Sequence, residues 1–541
     1  MKKRGLLAAL AVLVLLVPAA GAHAGYPGIA RYTDEASSMF WFVQIADSHI
    51  GHETSQDTEN LEWATGEAFE TIDPVFMVNT GDLTDGTDGG LIYGGPYQEE
   101  WDAYRAIVDA NGMTPTNYYD PPGNHDHYND GDLSYYLNNS VQGEATGQNQ
   151  MSWRLDYDFG VYHFVGVSTC GNDGFPWPFD NAGLDADELA YIESELDANT
   201  DANLTFVFGH HPTLFFLYGT AAFVDLMQNY GVSVYGHGHI HDHTIYWNDG
   251  ILRYRIRSLG KSEDNHIALY VVDNDGLAIN QRDAGGWPLV VISAPLDAAL
   301  GGTNPYAYPV SADYDANPIR ALAFDADGIE QVSWQLQDGG WNAMEHVDGP
   351  LWTGTFDATA YEPGEVALEV LAEGAGGTDV HAIVFSLETT VCYDGLDNDG
   401  DFLVDYPEDP GCYSPSDTDE FNENTAPVAD AGDDQSAAVA EIVWLNGEGS
   451  YDPDGQPLNY SWDFDANDGI GQDATGTRVQ TAYHIAGQYT VTLTVDDGLG
   501  LTGTDTVLVT VTDDSDDDSG DDDADDDDSR GDDDEDSGCG C

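Results

Sequence analysis

Residues 39–49 read Met39-Phe40-Trp41-Phe42-Val43-Gln44-Ile45-Ala46-Asp47-Ser48-His49. An apolar run of this length without a turn former predicts a buried strand, and an Asp and a His two apart follow where it runs out. Runs at 75–78, 204–208 and 232–235 repeat the pattern. Between them, apolar residues recur at helical spacing: Trp101, Tyr104, Ile107 and Val108; Leu189, Ile192 and Leu196; Phe223, Leu226, Met227 and Tyr230. This alternation, from Met39 to about Asp283, predicts an α/β layered domain.

Five short motifs stand where the strands end: Asp47-Ser48-His49, Gly81-Asp82-Leu83-Thr84-Asp85, Gly123-Asn124-His125-Asp126, Gly209-His210-His211-Pro212 and Gly236-His237-Gly238-His239. Loops at strand carboxyl ends open into a common crevice, so all five can meet at one site. Carboxylates, an amide and imidazoles without a thiolate suit Mn²⁺, Fe²⁺/³⁺ or Zn²⁺. Two such ions ~3.5–4 Å apart need a bridging ligand, and Asp82 is the natural bridge.

The ordered set D-x-H, G-D-x-x-D, G-N-H-D/E, H-x-P and G-H-x-H resembles the calcineurin-like metallophosphoesterase family over roughly residues 38–285. That resemblance implies an α/β four-layer sandwich and two bound metal ions. Asp47, His49 and His239 would hold one ion, Asn124, His210 and His237 the other, and Asp82 both. His125 matches the catalytic histidine, with Asp126 as its expected orienter, and Gly123 and Gly236 would allow tight turns behind the ligands. Asp85 stands where purple acid phosphatases carry an iron-binding Tyr, so a purple enzyme is not expected. His52, His127, His241 and His243 are expected on the cleft rim. The implied reaction is hydrolysis of a small phosphate mono- or diester by a metal-bridging hydroxide, with His125 assisting the leaving oxygen.

After Trp287 the helical spacing stops. Period-two alternation with Gly/Asp turns predicts an immunoglobulin-like β-sandwich over 290–389. Residues 391–421 form a further unit in which Cys392 and Cys412 are expected to pair. Its stretch Asp394-Gly395-Leu396-Asp397-Asn398-Asp399-Gly400-Asp401 spaces oxygen ligands for calcium at Asp397, Asp399 and Asp401, within a loop of about 394–405, but no acidic residue plainly takes the closing bidentate role. Ser450-Tyr451-Asp452-Pro453-Asp454-Gly455, Tyr460-Ser461-Trp462-Asp463-Phe464 and the alternating run 487–495 resemble the polycystic-kidney-disease type β-sandwich over 424–513. Residues 514–541 are low-complexity Asp, expected to be disordered and ending Cys539-Gly540-Cys541.

A chain of 541 residues with these changes of pattern is multidomain. Lys2, Lys3 and Arg4 precede an apolar run from Leu6 to Val17 and then Ala22-His23-Ala24, the layout of a signal peptide over 1–24. Secretion or display at a bacterial-type cell surface is the expectation, with no membrane span in the mature chain. With 14 Lys and Arg against 99 Asp and Glu, the net charge is −85. Nucleic acid is therefore not expected as a partner. The β-domains are expected to contact glycans or proteins. An alternative reading is a surface adhesion protein that keeps the phosphoesterase fold as a scaffold.

Overall fold

A computed structural model describes residues 30–513 apart from 34–35, 53–55, 87–93, 171–181, 262–264, 338, 401–402, 422–424, 454–456 and 499. The signal-peptide and tail expectations, and Asp401, lie outside the described residues.

Strand Met39–Ile45 sorts its side chains at period two, and that sorting creates the layers. Phe40 and Phe42 face an aromatic interior with Phe76, Phe164, Phe206, Phe208, Tyr254 and Tyr270, while Val43 and Ile45 face helices. The interior is sandwiched between two sheets. One runs 276–283, 266–273, 39–45, 77–79, 118–119, and the other 151–157, 160–166, 204–208, 234–237, 251–255, 244–248. Phe42 holds the two together, with ring centroids 4.7 Å from Tyr270 and 5.3 Å from Phe206. Helices within 56–72, 98–110 and 134–146 cover the outer face of the first sheet; Ala186–Ala198 and Thr220–Asn229 cover that of the second. The result is the expected four-layer sandwich. Two strands start later than expected, at Met77 and Val234.

The five motif loops all leave the carboxyl ends of parallel strands. In one sheet 39–45, 77–79 and 118–119 run parallel, and in the other 160–166, 204–208 and 234–237 do. Backbone bonds stitch adjacent loops together: Asp47 N–H donates to the Gly81 carbonyl at 2.9 Å, and Gly238 N–H to that of His210 at 3.2 Å.

The second β-sandwich pairs sheet 289–294, 317–324, 351–356, 345–348 with sheet 310–311, 377–388, 364–374, 329–336, 342–343. It is not an independent module. Leu289-Val290-Val291-Ile292 is apolar on both faces: Val290 and Ile292 fill the sandwich core, whereas Leu289 and Val291, with Leu322 and Phe324, join the helix-side core of the α/β layers. At the same junction Arg320, 1% exposed, donates to both carboxylate oxygens of Asp273 (2.8 and 3.1 Å), and the Ser293 hydroxyl donates to Asp273 at 2.7 Å. Apart from 400–402, the Cys-closed segment also belongs to this first unit, with the disulfide Cys392–Cys412 formed and Tyr393 packed on Tyr314.

The second unit holds the last β-sandwich, a five-stranded sheet 435–438, 502–512, 487–496, 459–463, 474–475 facing the pair 442–446 and 478–482. Trp462 is fully buried among Leu445, Leu493 and Val507, and its indole N–H donates to the Gly476 carbonyl at 2.9 Å.

The buried ion pair yields a stability prediction. Arg320→Ala strands the Asp273 carboxylate and is expected to cost about 3–5 kcal/mol. The double replacement Arg320→Met with Asp273→Leu should recover most of it. Urea unfolding of the three proteins reads this directly, and an unchanged midpoint in Arg320→Ala would refute it.

Candidate metal centre

Three buried histidines face the carboxylate of Asp82, which is 1% exposed. Its Oδ2 lies 3.2 Å from His210 Nε2, 3.6 Å from His49 Nε2 and 3.8 Å from His125 Nε2, and its Oδ1 accepts the His125 backbone N–H at 2.8 Å. On one side of it, His241 Nε2 sits 3.2 Å from both Asp47 Oδ1 and His49 Nε2. On the other, Asn124 Oδ1 is 3.0 Å from both His210 Nε2 and His239 Nδ1, which are 3.2 Å from each other. Two ligand clusters thus share Asp82: Asp47, His49 and His241, and Asn124, His210 and His239.

The geometry differs from the sequence assignment at two residues: His239 lies beside Asn124 and His210, and His241 lies beside Asp47 and His49. His237 enters neither cluster. It ends strand Val234–His237, its ring lies 5.4 Å from that of Tyr235, and its Nδ1 is 3.3 Å from the Gly238 carbonyl. The cause is a sequence that satisfies G-H-x-H twice, as Gly236-His237-Gly238-His239 and as Gly238-His239-Ile240-His241. A Cβ on Gly238 would collide with the Asp47 carboxylate and one on Gly123 with that of Asp82, and one on Gly236 would press on the Phe208 ring, so neither glycine of the two frames can carry a side chain.

Backbone conformation marks the same residues. Asp47, His49, Asp82, His239 and His241 have φ of 54°, 45°, 53°, 76° and 62°. Left-handed conformations at non-glycine residues cost about 1–3 kcal/mol each and concentrate at functional sites. Here the Asp47 carboxylate helps hold the turn by accepting the His239 N–H at 3.0 and 3.2 Å.

The donor set fits a pair of cations. Imidazole nitrogens face one another at 3.2 Å in each cluster, around carboxylate and amide oxygens, with no sulfur in the set. His210 Nδ1 is 2.9 Å from the Thr80 carbonyl, which can only accept, so Nδ1 carries the hydrogen and Nε2 offers its lone pair inward. Burial, with Lys261 nearby, pushes His49 down to about 3, keeping it neutral as a ligand must be. Burial opposes the charge on His210 as well, but the carboxylate of Asp82 raises its pKa to about 10, so without a metal its Nε2 holds a proton that a bound cation would displace. The negative charge at the centre therefore draws in a positive one.

The expected Asp126 to His125 contact is replaced. The Asp126 carboxylate accepts backbone N–H groups of Gly123, Leu83 and Thr84 at 2.9–3.1 Å and so ties two motif loops together. His125 Nδ1 instead lies 2.6 Å from the backbone carbonyl of Asp85. The Asp85 side chain is 3.1 Å from His49 Nδ1, 3.5 Å from His52 Nδ1 and 3.0 Å from Lys261 Nζ, so it supports the ligands without joining them. Tyr128 accepts the Asn124 side-chain N–H at 2.6 Å, fixing which amide atom faces His210. Lys261 and Tyr128 carry no motif and were not legible. Of the other rim histidines, His127 is buried, and His243 lies against Tyr254.

In the Cys-closed loop, Asp397 and Asp399 are exposed. Asp405 accepts the N–H groups of Asp394 and Gly395 at 2.9 and 2.7 Å, and Glu420, 2% exposed, accepts that of Asn398 at 2.5 Å.

Residues 40–243 match the calcineurin-like phosphoesterase family and residues 424–524 the PKD domain family. The chain therefore carries a metallophosphoesterase domain followed by β-rich, PKD-type domains. Transmembrane protein 62 of Mus musculus is 25% identical over 358 residues, 63% of this chain and 54% of that protein. An Arabidopsis thaliana protein named as a metallophosphoesterase is 24% identical over 268 residues, 46% of this chain and 34% of its own length. The chain thus spans about half or less of these relatives. The PKD1 domain of Vibrio anguillarum Epp is a solved structure 36% identical to this chain, covering 17% of it and 99% of the domain, with a TM-score of 0.14. Among the described residues no helix is long and apolar enough to cross a membrane.

The shifted frame is directly testable by metal content. Loading His241→Ala with Mn²⁺ should leave about one ion per chain, whereas His237→Ala should retain two. Native mass spectrometry counts them, and the opposite pattern would restore the first frame.

Proposed function

We propose that this protein is a secreted, metal-dependent phosphoesterase acting on phosphate mono- or diesters. The observation that carries the proposal is the pair of ligand clusters joined through Asp82. Bound there, two cations would supply a water of lowered pKa and neutralise charge on the phosphoryl oxygens. Asp82 would bridge them, with Asp47, His49 and His241 on one side and Asn124, His210 and His239 on the other.

The surrounding residues have separable tasks. The Asp85 carbonyl accepts from His125 Nδ1, which leaves Nε2 as the atom that moves a proton. Burial lowers the pKa of His125, so Nε2 is bare at rest; having taken up a proton from solvent, it would be placed to pass that proton to the departing ester oxygen. Tyr128 keeps Asn124 Oδ1 turned toward His210. Lys261 and Asp85 hold His49 from behind.

Hydrolysis of nitrophenyl mono- and bis-esters with Mn²⁺ supplied tests the reading. His125→Ala should keep its metal and lose about 10²–10⁴ in kcat, while Asp82→Ala should lose both metal and turnover. A native chain that binds no metal and turns over neither ester would leave the fold as a scaffold for adhesion through the β-domains.

A second site concerns calcium in the loop 394–405. Glu420 supplies the closing carboxylate that the local sequence lacks, since its Oε1 is buried without a hydrogen-bond partner. Burial, with Asp409, Asp405 and Asp394 nearby, raises its pKa. Calcium at about 100 times its Kd should stabilise the native state by about 2.7 kcal/mol. Thermal melts should show that gain in the native chain and lose it in Glu420→Gln; equal gains in both would remove Glu420 from the site.

A further inference from the structure

The segment after the fourth motif, Thr213-Leu214-Phe215-Phe216-Leu217, presents apolar side chains to solvent beside the metal centre. Leu214 is 90% exposed, Leu217 70% and Phe215 41%. The Phe215 ring centroid is 5.1 Å from that of His239, in an edge-on arrangement, so this apolar rim is continuous with a metal ligand.

The exposure is built in. Phe216 is buried, 5.8 Å from Phe223 in the core beneath, and anchors the segment from its middle. The Phe215 N–H donates to the Pro212 carbonyl at 2.9 Å, closing a tight helical turn over 213–215, and the Leu217 N–H donates to the Ala182 carbonyl at 2.8 Å. With Phe216 turned inward and the backbone tied on both sides of it, the two leucines cannot fold into the core. Each exposed side chain forgoes burial that would ordinarily stabilise a fold. A contiguous exposed apolar set beside a catalytic centre marks a contact with a ligand.

We propose that the substrate is an amphiphilic phosphoester, one whose ester group is an alkyl or acyl chain that lies along Leu214, Phe215 and Leu217 while the phosphate sits at the metals. The inference rests on the phosphoesterase reading above and names its substrate class. Charge supports it indirectly. A chain of net charge −85 repels an anionic ester at long range, so affinity has to come from the metals and from apolar contact at short range.

The test uses the Mn²⁺-loaded protein with two series running from methyl to octyl, kept below micelle formation: n-alkyl phosphates and n-alkyl nitrophenyl phosphates. In the series that the enzyme turns over, kcat/KM should rise by at least about tenfold from methyl to octyl, chiefly through KM. In Leu214→Ser/Leu217→Ser the rise should flatten, with the methyl ester hydrolysed at the native rate. Calorimetry with methyl- and octylphosphonate should show the same contrast in Kd without turnover. Equal chain-length dependence in both proteins, or none in either, overturns the proposal. So does a variant whose only loss is binding to phosphatidylcholine vesicles, which would make the rim a membrane contact. Absence of turnover of any ester by the metal-loaded native protein would instead sink the phosphoesterase reading itself.

Discussion

The burial of the Asp82 carboxylate is the constraint from which the rest of the site follows. A carboxylate taken out of water is costly unless opposite charge and hydrogen bonds replace the lost hydration. Here Oδ1 receives the His125 N–H, and Oδ2 faces imidazole nitrogens of His49, His125 and His210. Burial raises the carboxylate's pKa, but the histidines, His210 foremost, hold it well below the usual range. The group therefore stays charged where it is least solvated, which is the electrostatic setting that favours a cation. To bring the other ligands to it, the chain accepts left-handed backbone at four of them and at Asp82 itself, and glycines at 123 and 238 where no Cβ has room. That strain is offset by the packed layers behind, whose aromatic interior fixes the strand ends from which the loops depart.

Much of this was legible because the fold and the chemistry both follow from local pattern. The alternation in residues 39–45 decides which side chains face the interior, and the strand ends carry the ligands, so the layers and the five motifs could be placed together. What was not legible has definite physical causes. The His frame at 236–241 is degenerate in sequence, and only the folded positions of His239 beside Asn124 and of His241 beside Asp47 and His49 distinguish the two solutions. Asp126 looks like a partner for its neighbour His125, but as the third residue of a helical turn it satisfies backbone N–H groups instead. Lys261 and Glu420 act across gaps in sequence that no spacing rule reaches, whereas Tyr128, four residues after Asn124, lies just outside the motif it serves.

The joining of the immunoglobulin-like sandwich to the phosphoesterase layers is a case of the same kind. Alternation in 332–336 and 366–371 marks one-sided strands of an ordinary sandwich, and those residues form them. Residues 289–292 do not alternate. A continuous apolar strand has two buried faces, and here the second face packs against the metallophosphoesterase domain beside the Arg320 to Asp273 pair. That sheet thus forms a further layer over part of the helical side of that domain. The sandwich supports the strand Met39–Ile45 from behind, with Phe324 lying 6.1 Å from Trp41 between ring centroids. It belongs to the structure that holds Asp47 and His49 in place.

The scarcity of positive charge makes its location meaningful. Four of the chain's 14 Lys and Arg fall at 253, 255, 257 and 261. The strand Ile251–Arg255 lies beside Val234–His237, and the segment beyond it returns to the site, where Leu259 and Gly260 N–H groups donate to the carbonyls of Ala46 and Asp47. Arg255 pairs with Asp242, next to His241, and Lys261 with Asp85, behind His49. Mobile ions screen the acidic surface over about 8 Å at physiological ionic strength, so an anionic ester that reaches the mouth meets this short-range environment rather than the net charge. Under the proposed function, the metal centre would hold the phosphate and the Leu214 to Leu217 rim would act on what the phosphate carries, so discrimination between esters would fall to the rim, because the phosphate is common to all of them.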